Sequence, residues 1–68
     1  MDDQHDDDDV LIDSPAAAKM LGVSRQWMEL RRAKGDGPPY LKLGDSRTSI
    51  VRYRRGDVRR WLQSRQVA

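Results

Sequence analysis

Apolar residues fall into short groups whose spacing changes along the chain, with turn residues between them. Val10-Leu11-Ile12 is an apolar run that packs as the chain enters its fold. Ala16, Ala17 and Ala18 are strong helix formers, small enough for close helix packing, and Met20 and Leu21 add larger core contacts. They predict a helix over residues 14–21, capped by Asp13 or Ser14, with Pro15 tolerated in its first turn. Gly22 can end that helix in the left-handed conformation, and Ser24 can cap a second one running to about Lys34 and stopping at Gly35. On the second helix Trp27, Met28 and Leu30 share one broad arc, with Arg25, Glu29 and Arg32 opposite. Arg31 projects into the apolar arc, its stem along the core edge and its guanidinium reaching solvent or phosphate.

After Gly35-Asp36-Gly37-Pro38-Pro39 the period switches to two. Residues 40–43 alternate as a half-buried strand does, residues 44–49 have turn chemistry, and residues 50–54 return as a β-branched, aromatic strand. This predicts a hairpin with Arg47 near its tip, which must pack on helices to be stable. Arg55 or Gly56 opens a third helix that frays after about Gln66, with Asp57 in its first turn and Val58, Trp61 and Leu62 on one apolar face. The fold class is mostly α with a small β-hairpin: a winged helix-turn-helix, in the order helix, helix, hairpin, helix.

Charge changes the picture more than composition does. The chain of 68 residues has a formal net charge of +2. Seven aspartates lie in residues 1–13, which contain no Lys or Arg. Residues 14–68 carry all 13 basic residues, ten of them Arg, against four acidic ones, a net of +9. So basic a segment predicts a polyanionic partner. Nucleic acid fits better than a membrane, because the basic residues do not oppose one broad apolar stripe. Residues 1–10 read as a disordered acidic tail and residues 11–66 as the DNA-binding domain. The tail has two readings, a solubilising segment or one that competes with DNA for the basic face.

Other classes find little footing. With no cysteine and a single histidine, His5, neither a disulfide framework nor a metal site is expected. No apolar run spans a membrane and no signal-peptide core is present, so the expectation is a soluble, intracellular protein. The basic segment has no paired-carboxylate constellation, activated nucleophile or phosphate loop, so neither an enzyme nor a cofactor is expected.

Four stretches resemble the excisionase-type winged-helix family of phages and integrative elements, which shares the architecture of MerR-type DNA-binding domains. They are Leu21-Gly22-Val23-Ser24-Arg25-Gln26, the run from Gly35-Asp36-Gly37-Pro38-Pro39 through Tyr40-Leu41-Lys42-Leu43-Gly44, Val51-Arg52-Tyr53-Arg54-Arg55, and Asp57-Val58-Arg59-Arg60-Trp61-Leu62. The resemblance covers roughly residues 11–65. One departure is that the family commonly has a small hydroxyl residue where Trp27 stands, and often an aromatic at Arg31.

The resemblance implies the second helix in the major groove and the hairpin wing in an adjacent minor groove. The side chains suit these tasks. Arg25 can reach guanine, Gln26 adenine and Glu29 a cytosine amino group, while Arg32 continues that side and Ser24 offers phosphate a hydroxyl. At the wing, Arg47 suits a narrow minor groove, with Lys42, Ser46 and Thr48 on sugar-phosphate. Arg52, Arg54 and Arg55 are backbone candidates in a run of five Arg over nine residues that also includes Arg59 and Arg60.

The expected function is that of an excisionase, or recombination directionality factor. Such a protein binds and bends attachment-site DNA so that a partner integrase, a tyrosine or serine recombinase, can excise the element. The alternative is a small transcriptional regulator using the same domain. A third reading, an adaptor whose basic face meets an acidic protein, fits the Arg-tipped helix and wing less well. No long heptad helix is present, so a monomer that associates cooperatively on double-stranded DNA is expected. The resemblance places it in the cytoplasm of a bacterial host, with the nucleoid.

Overall fold

Local capping decides where the helices begin and end. In the computed structural model, which describes residues 8–45 and 50–67, α1 spans Ser14–Leu21 and α2 spans Arg25–Lys34. The Asp13 carboxylate accepts the Ala16 amide hydrogen at 3.0 Å, so Asp13 rather than Ser14 is the cap of α1. Ser24 Oγ accepts the Trp27 amide hydrogen at 3.0 Å and opens α2 in the same way. Gly22 at φ 71° and Gly35 at φ 76° close the two helices in the left-handed region, where a Cβ would be strained. Each glycine amide donates to carbonyls of the last turn.

Strands β2 (Leu41–Lys42) and β3 (Val51–Arg54) pair antiparallel, and α3 (Arg55–Ser64) follows β3 without a break. Both strands are shorter than the alternation implies, although the Leu43 amide still donates to the Ile50 carbonyl at 2.8 Å. Helix α3 ends two residues before Gln66. Leu11–Ile12 is itself a strand, β1, pairing antiparallel with β3 so that Leu11 faces Arg54 and Ile12 faces Tyr53. The sheet therefore has three strands in the order β1-β3-β2, not two.

Ala17 and Ala18 of α1, Met28 of α2, Tyr53 of β3 and Val58 of α3 form the core. The two alanines let α2, α3 and β3 approach α1 closely. Met28 is 1% exposed, a burial worth about 2 kcal/mol. Ile12, Leu21, Val23, Trp27 and Val51 pack around this centre. Five side chains expected to pack lie outside instead: Val10, Leu11, Met20, Leu30 and Leu62 are all exposed, Leu30 by 62%. So small a core covers only a narrow stripe of each helix, and residues at the edge of the apolar arc stay in water. Among the described residues no buried side-chain nitrogen or oxygen lacks a hydrogen-bond partner.

Candidate nucleic-acid interface

Arg25 and Glu29 stand one turn apart on the outer face of α2, and Arg25 Nε donates to Glu29 Oε2 at 3.2 Å. Their side chains are 69% and 47% exposed, so the pair is presented to solvent rather than buried in the fold. Gln26 is exposed beside them in the first turn. The Ser24 hydroxyl is occupied as acceptor for the helix cap, leaving its own hydrogen available to an anion.

Arg32, two turns along the same side, is held differently. Its Nη1 donates to the Tyr53 hydroxyl at 2.9 Å and to Ser14 Oγ at 3.3 Å, and its guanidinium lies 5.8 Å from the centre of the Tyr40 ring. This side chain ties α2 to β3 and to the start of α1. Arg25, Glu29 and Arg32 form one wall of an open groove of about 400 Å³. The start of α1, from Asp13 to Pro15, and the residues that lead into and open β3, from Ile50 to Arg52, complete it. Arg52 Nη1 donates to the Val51 carbonyl at 2.8 Å.

Of the remaining candidates, Lys42 is exposed on β2. Arg54 and Arg55 lie at the other end of β3, where Arg54 Nη1 is 3.7 Å from Asp57 Oδ2. Ser46, Arg47 and Thr48 fall outside the described residues, as do residues 1–7 of the acidic tail. Ile50 is a groove residue that the sequence pattern marks only as part of a strand; it is 56% exposed among charged neighbours. Its β-branched character favours a strand and says nothing of which face meets the groove.

Trp27 is turned away from the groove. Its ring meets Trp61 of α3 edge-on, with centroids 6.2 Å apart and planes at 66°. Arg31 lies over the Trp27 ring at 5.0 Å and donates to Asp36 Oδ2 at 3.0 Å. The apolar arc thus accommodates Arg31 by stacking its guanidinium on a ring and neutralising it with a carboxylate. This fixes the rotation of α2: Trp27 and Met28 face inward, and Arg25 and Glu29 face outward.

A family model for the helix-turn-helix domain matches residues 11–66. The chain belongs to the helix-turn-helix domain family. No curated protein and no solved structure matches it. In helix-turn-helix terms α1 and α2 are the paired helices, and the β2–β3 hairpin is the wing. A helix-turn-helix domain supports DNA binding. Among the described residues no group of three or more His, Cys, Asp or Glu is placed to hold a metal ion. No helix there is long and apolar enough to cross a membrane.

Proposed function

We propose that this helix-turn-helix protein is an excisionase-type recombination directionality factor, acting on attachment-site DNA without chemistry of its own. The observation that carries the reading is the open groove between α2 and β3, where Arg25, Arg32 and Arg52 stand with Asp13 and Glu29 from the helix to the base of the wing. A duplex engaged there meets α2 in its major groove and the wing in the adjacent minor groove, as in the family that the sequence resembles. Arg25 and Gln26 read base edges, Glu29 orients Arg25, and Arg52 and Lys42 hold phosphates on either side. Two-point engagement favours bent DNA, because binding at both ends of the groove offsets the elastic cost. The bent duplex is then the form on which an integrase assembles its excisive complex.

The test is a footprint on the DNA surrounding the protein's own gene, combined with a bend assay by circular permutation. Protection of tandem repeats beside a recombination crossover, with a bend centred on them, is the expected result. Protection confined to a promoter would make the protein a transcriptional regulator instead.

A further inference from the structure

Away from the groove, where β3 passes into α3, an acidic side chain sits on an arginine cluster. The Asp8 carboxylate accepts a hydrogen bond from Arg59 Nη1, and its other oxygen lies 3.7 Å from Arg60 Nη1. The neighbouring backbone is fixed as well: the Arg55 amide donates to the Val10 carbonyl at 2.9 Å. Helix α3 has no side-chain cap from its own N-cap residue, Arg54. Its second residue, Gly56, is buried, and a Cβ built there would lie 2.7 Å from Asp8 Cβ and 3.0 Å from Asp8 Cα. The seat of Asp8 therefore depends on the bare α-carbon of Gly56.

We propose that Arg59 and Arg60 form a second phosphate-binding surface, separate from the α2 groove, which Asp8 occupies in the free chain. This rests on the reading of the protein as DNA-binding. A carboxylate held by one guanidinium hydrogen bond, with a second guanidinium 3.7 Å away, stands where a phosphodiester group would meet the same two charges. The remaining charges of the patch are shared locally: Asp57 accepts from Arg60 Nη2 at 2.8 Å and lies 3.7 Å from Arg54 Nη1. Releasing Asp8 thus uncovers positive charge that Asp57, already divided between two arginines, does not neutralise. The Asp8, Arg59 and Arg60 side chains are 33%, 42% and 60% exposed, so solvent screens the pairing and a high local density of phosphate can displace it. The segment holding Asp8 then acts as an exchangeable guard that weakens binding to arbitrary DNA and yields on a site already held by the groove.

The experiment compares the full chain with two variants that open the seat by different routes. Asp8→Asn removes the charge, and Gly56→Ala keeps every charge but displaces Asp8. Affinity for a random-sequence duplex is measured by fluorescence anisotropy across a salt series, with retention on heparin as a readout independent of DNA. Both variants should bind the duplex several-fold tighter at low salt, with a log–log salt slope steeper by about 1 to 2, and should elute later from heparin. Adding Arg59→Gln and Arg60→Gln to Asp8→Asn should abolish the gain. Folded variants with unchanged slope and elution overturn the proposal. Later elution without any duplex binding by the wild type or the variants overturns the DNA-binding reading, and with it phosphate of DNA as the ligand.

Discussion

Arg32 of α2 donates to the hydroxyl of Tyr53, a core residue of the wing strand, at 2.9 Å. One charge-assisted bond thus ties α2 to the wing strand. Tyr53→Phe keeps the ring and removes the acceptor. It should lower the unfolding free energy by about 1 to 2 kcal/mol in urea denaturation. Arg32→Ala should cost less in the Tyr53→Phe background than in the wild type, because the two side chains share this interaction.

The cap of α2 is a separable contribution. Ser24→Ala leaves the Trp27 amide without its acceptor and should destabilise the domain by about 1 kcal/mol, read by thermal or urea unfolding. Ser24→Asp should restore most of that loss.

Two apolar residues of α2 should behave oppositely despite their similar size. Met28→Ala empties a fully packed position and should cost about 2 to 5 kcal/mol, enough to unfold much of so small a domain at room temperature. Leu30→Ala, on an exposed side chain, should change stability by no more than about 0.5 kcal/mol.

The Arg25–Glu29 pair is exposed and contributes little to folding. Glu29→Gln should therefore leave the unfolding free energy within about 0.5 kcal/mol of the wild type. Its effect should appear in base preference, since Glu29 no longer aims the Arg25 guanidinium. Competition binding against duplexes changed at single positions should show relaxed discrimination at one base pair.

The helices are legible in the sequence because their signals are local. Asp13, Ser24, Gly22 and Gly35 fix the ends of α1 and the whole of α2 within a residue or so. The outward placing of Arg25, Gln26 and Glu29 on α2 is legible for the same reason. Strand β1 is not, because two residues carry no period, and its pairing with Arg54 and Tyr53 joins positions far apart in the chain. Periodicity places Leu30 and Leu62 on apolar faces without showing how narrow the buried stripe is. For Arg32, the helical angle correctly puts it on the side of Arg25 and Glu29, but only the fold reveals Tyr53 and Ser14 waiting beside it. The seat of Asp8 on Gly56 is likewise a contact between distant residues, invisible in a run of identical aspartates.

We propose that the outward face of α2 reads DNA sequence. The most direct measurement is selection from a pool of random duplexes, carried out in parallel with the wild type and with Arg25→Ala. The wild type should enrich a short motif, and Arg25→Ala should lose information at one guanine-containing position while keeping the rest. Absence of any enriched motif for the wild type, or an identical motif for both proteins, would contradict it.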